Sequence, residues 1–247
     1  MLLHAFPMDS SLWAAQRQAL AQVGHRVITP DLPGFGGTAL PLDPPSLDVM
    51  ADAVVGLLDE LGIERAVVGG LSMGGYVTMA LLRRHPQRVA AIVLADTKAS
   101  ADTPDAAANR EAVASAVEAA GNAAGIAEGM LANLLGATTR ESRPDVVATV
   151  RRWIGAQPAA GVAWAQRAMA ARPDSLTDIA AFGGPVLVLY GAEDTISPAI
   201  DARAMADAAR SGGSATTVVE IPAAGHLTAV EDPDAVSHAL SGWLATL

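Results

Sequence analysis

The 247-residue sequence has no cysteine, a single lysine (Lys98), and only 4% aromatic residues. The missing cysteines exclude a disulfide framework and any thiolate metal site, so a nucleophile in this chain has to be oxygen or nitrogen. Basic side chains are also scarce, 16 against 26 acidic ones, which gives a formal net charge of −10. Such a field repels phosphate backbones and anionic lipid, so neither nucleic acid nor a membrane surface is an expected partner. No run of 18 uninterrupted apolar residues occurs, and Met1 to Pro7 lacks the charged start and cleavage site of a secretory signal. These absences predict a soluble, cytoplasmic protein.

What is present is a 51% hydrophobic chain long enough for one α/β domain with a decoration. Short apolar runs bounded by Gly, Pro and Asp alternate with stretches of helical period, the pattern of βα units on a mostly parallel, doubly wound sheet. The predicted strands are Leu2 to His4, Arg26 to Thr29, Ala66 to Gly69, Ala91 to Leu94, Val186 to Tyr190 and Thr217 to Ile221. Leu47, Met50, Val54, Leu58 and Leu61 recur at helical steps behind Ser46, a capping residue, and Gly62 ends the run. Val236, Leu240, Trp243, Leu244 and Leu247 repeat the pattern at the end of the chain. From Asp102 to Phe182 the rhythm breaks into an alanine- and arginine-rich interval interrupted by Pro144, Pro158 and Pro173. Residues 102–182 are therefore read as a helical cap inserted into a core of residues 1–101 and 183–247.

The most informative segment is Gly70-Leu71-Ser72-Met73-Gly74, where a buried strand runs into a helix through a serine flanked at ±2 by glycine. This is the nucleophile-elbow pattern, in which the turn is too tight for Cβ atoms at the flanking positions. The serine is held exposed at the helix start, where the first N–H groups, notably that of Met73, face an oxyanion forming beside it. The phosphate-binding glycine fingerprints are not matched.

A serine nucleophile needs a histidine base and a carboxylate to orient it, following in the order Ser, Asp or Glu, His. His226 stands in a loop after the last predicted strand and Asp194 in a loop after the preceding one. Glu193 is adjacent to Asp194, and Asp96 follows another strand end, so both remain alternatives for the acid. The histidines lack ligand-like pairing, so no metal or other cofactor is expected.

Leu2-Leu3-His4-Ala5-Phe6-Pro7, Asp31-Leu32-Pro33-Gly34-Phe35-Gly36, the Ser72 elbow, Gly191-Ala192-Glu193-Asp194 and Gly225-His226 together resemble the α/β-hydrolase superfamily almost end to end. The resemblance implies a Ser72–His226–Asp194 triad. It also implies that the loop after the first strand supplies a second oxyanion donor, the N–H of Phe6, with His4 bracing that loop. Ala5 stands where the family has glycine, and Asp31 falls in a structural turn outside the site. The family's first two strands are missing, which leaves Arg26 to Thr29 as an uncovered edge through which a homodimer is expected.

Serine at the elbow directs the reading to acyl transfer, with water releasing the acid. Within the superfamily the elbow and Leu94-Ala95-Asp96-Thr97 resemble carboxylesterases and 3-oxoadipate enol-lactonase-like hydrolases, which implies small-molecule esters or lactones as substrates. Two other readings stay open. One is the same triad acting as a perhydrolase, acyltransferase or C–C bond hydrolase; the other is a non-catalytic ligand-binding member of the fold. The cap carries seven arginines, among them Arg110 and Arg172, from which a clamp for a substrate carboxylate can be drawn.

Overall fold

A computed structural model describes all 247 residues. The chain runs β1 (Leu2–Leu3), α1 (Ala14–Gln22), α2 (Leu47–Glu60), β2 (Ala66–Leu71), α3 (Met73–Arg84) and β3 (Val89–Ala95). Six helices follow: α4 (Pro104–Ala120), α5 (Ala124–Leu134), α6 (Ala137–Ser142), α7 (Pro144–Ala156), α8 (Ala159–Ala170) and α9 (Leu176–Phe182). The chain closes with β4 (Val186–Gly191), α10 (Ala199–Ser211), β5 (Thr216–Ile221), α11 (Thr228–Glu231) and α12 (Pro233–Leu244).

The five strands form one parallel sheet in chain order, with Leu94 beside Val188 and Val188 beside Val218 at its centre. Successive side chains point to opposite faces, as the pleat requires. Val68, Ile92, Leu94, Val186 and Val188 enter an apolar cluster with α2, α3, α9 and α10. Ala91, Val93, Leu187 and Leu189 enter a second cluster with α1 and α12. Helices thus cover both faces, which is why the central strands are continuously apolar. On α2 the Ser46 hydroxyl accepts from the Asp48 N–H, and Leu47, Met50, Ala51, Val54 and Leu58 are buried as one stripe. Each large side chain of such a stripe contributes roughly 1.5–3 kcal/mol by leaving water.

One expected strand is not there. Arg26 to Thr29 forms no ladder; its link to the sheet is a single hydrogen bond from the Leu2 N–H to the Ile28 carbonyl. The β-branched run Val27-Ile28-Thr29 has strand propensity, but its neighbour β1 is only two residues long and Pro30 follows at once. The uncovered edge strand through which self-association was expected is therefore absent, and the sheet edge on that side is β1.

Six helices, α4 to α9, joined by short non-helical links, lie between β3 and β4. α4 packs on α8 and α5 on α7, whereas α9 lies against α3 and α10. No helix is long and apolar enough to cross a membrane.

Candidate active site

Ser72 follows β2 directly and caps α3 with φ 54° and ψ −111°, a conformation that costs a non-glycine residue about 1–3 kcal/mol. The surrounding packing enforces it. The Ser72 N–H donates to the Ala95 carbonyl, while its own carbonyl accepts from the Tyr76 N–H and the Thr97 hydroxyl. A Cβ on Gly70 would lie 2.0 Å from the Gly74 backbone, which is the crowding expected of the elbow. At Gly74 the obstacle is different: a Cβ there would lie 2.2 Å from the Leu3 carbonyl oxygen of β1. The second glycine therefore makes room for the neighbouring strand.

The Ser72 Oγ lies 2.8 Å from His226 Nε2, and His226 Nδ1 lies 2.8 Å from Asp194 Oδ2. All three side chains are buried, at C-terminal ends of β2, β5 and β4. An ionised carboxylate only accepts, so His226 carries its proton on Nδ1 and offers the Nε2 lone pair to the serine hydroxyl. Burial alone would raise the Asp194 pKa, but hydrogen bonds from His226 and Ser197 and the attraction of His226 outweigh it and hold the group below its ordinary value.

The alternative acids take other partners. Asp96, at φ 43°, accepts from the Gly191 N–H and from the N–H and hydroxyl of Thr228. Burial, then the Asp194 charge, pushes its pKa well above the usual carboxylate range. Glu193 accepts from the N–H and hydroxyl of Thr138.

Phe6 lies on the loop after β1 and faces the same cavity as Ser72 and His226, and Met73 opens α3. The Phe6 N–H has no acceptor in the protein, and Met73, as first residue of α3, has no preceding helical carbonyl to bond. His4 braces this loop: its Nε2 accepts from the Leu32 N–H, so its Nδ1–H is the donor to the Ala5 carbonyl. Burial lowers the His4 pKa and keeps the ring neutral. Asp31 accepts from the N–H groups of Ser10 and Gly37 and shapes a turn.

Two residues escaped the sequence reading. The Ser197 hydroxyl donates to Asp194 Oδ2 at 2.7 Å and lies 3.3 Å from His226 Nδ1. Glu231 is buried and accepts N–H groups from Gly136, between α5 and α6, and from Gly225 and Leu227 on either side of His226. The His226 N–H itself donates to the Leu134 carbonyl. The only signal for Ser197 was a hydroxyl three residues after an acid, a common turn pattern. Glu231 had none.

Above Ser72 and His226 is a cavity of about 460 Å³, walled in part by the apolar side chains of Val113 of α4, Ile126 and Met130 of α5 and Met169 of α8. Trp153 and Trp164 do not line it. Trp164 is buried, with its indole N–H on the Asp43 carbonyl.

Residues 1–233 match the family described as the alpha/beta hydrolase fold. A thermophilic esterase from Thermogutta terrifontis, solved with malate bound, superposes with a TM-score of 0.94 at 41% identity, over 99% of this chain and 88% of that one. 3-Oxoadipate enol-lactonase 2 of Acinetobacter baylyi is 28% identical over 93% of this chain and 82% of its own length. The dihydrolipoyllysine-residue acetyltransferase component of the acetoin cleaving system of Pseudomonas putida is 30% identical over 99% of this chain, which spans 62% of that protein. With this match over nearly its whole length, the chain belongs to the alpha/beta hydrolase fold family.

Proposed function

We propose that the protein is a serine hydrolase that cleaves small carboxylic esters or lactones through an acyl-enzyme. The observation that carries this reading is the unbroken contact from Ser72 Oγ through both nitrogens of His226 to Asp194, at the floor of an apolar cavity. The esterase and enol-lactonase relatives support the same chemistry.

In this reading Ser72 Oγ attacks the substrate carbonyl carbon while His226 Nε2 takes the hydroxyl proton. The carbonyl electron pair moves onto oxygen, where the N–H groups of Phe6 and Met73 receive it as an oxyanion. Its return expels the alcohol, which leaves with the proton from Nε2. Water then gives a proton to His226 and adds to the acyl carbon; collapse restores the Ser72 hydroxyl and releases the acid. Asp194, held ionised by its hydrogen bonds, stabilises the imidazolium at each stage.

Labelling with a fluorophosphonate, followed by peptide mass analysis, tests the reading. The expected result is one adduct on Ser72, and Ser72→Ala is expected to lose both the adduct and turnover of short esters and lactones. A folded wild-type protein that takes no label and turns over none of them would overturn it.

A further inference from the structure

We infer that the cavity contains an anion subsite centred on Lys98, so that the ester or lactone it accepts carries a carboxylate away from the reacting carbonyl. This inference rests on the hydrolase reading of Ser72 and adds the charge of the substrate.

Lys98, the chain's sole lysine, lies in the segment that runs from β3 past the elbow: its neighbour Thr97 donates to the Ser72 carbonyl. Its side chain lines the same cavity as Ser72 and His226. The other charged groups on that wall are already matched. Asp102 forms salt bridges with both Arg110, at 2.5 Å, and Arg172, at 2.8 Å. Arg110 also donates to Gln166, and Arg172 stacks on Tyr76, 4.1 Å from the ring centroid. One carboxylate thus answers two guanidiniums, so Asp102 is taken up and does not pair with Lys98.

Lys98 itself has no ion-pair partner: Asp201, at the start of α10, is within electrostatic reach but outside contact distance, and Asp194 is committed to His226 and Ser197. A chain of net charge −10 has acidic side chains to spare for neutralising a lone ammonium. It instead leaves one facing a largely apolar cavity of the size that holds a small organic acid. There a substrate carboxylate would exchange water for a charge-assisted hydrogen bond under reduced screening.

The test compares kcat/KM for p-nitrophenyl half-esters of succinic, glutaric and adipic acids with the neutral butanoate, pentanoate and hexanoate of matching length. A second arm pairs acetyl esters of hydroxy acids with acetyl esters of simple alcohols, which places the carboxylate on the alcohol side. The wild type is expected to favour the charged member of at least one matched pair. Lys98→Met is expected to lower that charged-to-neutral ratio by about tenfold to hundredfold, the worth of one charge-assisted hydrogen bond, and Lys98→Arg to retain most of it.

Calorimetric titration with glutarate and adipate gives a readout independent of turnover, in which Lys98→Met is expected to weaken binding by a similar factor. Neutral esters turned over with no preference for charge in either arm, or a ratio unmoved by Lys98→Met, would overturn the subsite and leave the hydrolase reading intact. Absence of any turnover and of fluorophosphonate labelling would sink the hydrolase reading itself, and with it the inference.

Discussion

Glu231 offers the most direct check on how His226, the proposed base, is held. Its Oε1 accepts from the N–H groups of Gly225, at 2.9 Å, and Leu227, at 3.1 Å, while Oε2 accepts from Gly136 at 2.8 Å. The group is 6% exposed, so water does not replace a lost partner easily. In Glu231→Gln the amide oxygen can keep the Gly225 and Leu227 bonds, but the NH₂ then faces the Gly136 N–H, donor against donor. A hydrogen bond to a charged group is lost there and a buried donor is stranded, a loss of about 1.5–3 kcal/mol. Glu231→Ala strands all three N–H groups and is expected to cost about 3–5 kcal/mol, the scale of breaking a buried polar network. Because Glu231→Ala also loses the two contacts that flank His226, kcat/KM is expected to fall by about 10- to 100-fold in that variant, since misplacing a reacting group by about 1 Å is costly. Urea denaturation supplies the stability and ester hydrolysis the rate, with amide exchange at Gly136, Gly225 and Leu227 locating the loss. Wild-type stability in Glu231→Gln, or wild-type turnover in Glu231→Ala, would refute this account of the loop.

Two further outcomes follow from the same geometry. Because Ser72 sits at φ 54° and ψ −111°, Ser72→Gly relieves a strain that Ser72→Ala retains. In denaturant melts the glycine variant is expected to be the more stable by about 1 kcal/mol, the reverse of the usual order, and equal or lower stability would contradict the strain. Asp96 has a raised pKa in the folded protein, so folding binds a proton there and stability is lost as pH rises from the ordinary carboxylate pKa toward the raised one. That loss can reach about 1.4 kcal/mol per pH unit, and Asp96→Asn is expected to abolish it; parallel stability curves for the two proteins between about pH 4 and 8 would refute it.

The elbow was legible because the rule that makes it is local: Gly70 and Gly74 stand at ±2 from a serine between strand and helix, whatever surrounds them. Asp194 and His226 were legible by chain order and by their place just after strands. What the sequence hid depends on contacts between loops far apart in the chain. Asp96 and Asp194 both follow strand ends, and only the position of Thr228 beside one and His226 beside the other separates them. Glu231 reads as an ordinary charge on a short helix, yet it joins the His226 loop to Gly136, 95 positions away. Arg26 to Thr29 failed for the opposite reason, since its β-branched residues are sufficient locally but pairing requires a neighbour longer than β1.

The joint between residues 134–138 and the two loops that carry His226 and Asp194 makes the covering helices unequal as sites for engineering. Lengthening the chain between Leu134 and Thr138 would push on the backbone of residues 225–227 through the Leu134 carbonyl and Glu231, and on the Asp194 loop through Glu193. The turn at Gly121 and Asn122 is exposed, and a Cβ on Gly121 would meet nothing within 4 Å. Grafts, tags or altered linkers belong at that outer bend, where the covering can be redrawn without disturbing the contact among Ser72, His226 and Asp194 beneath it.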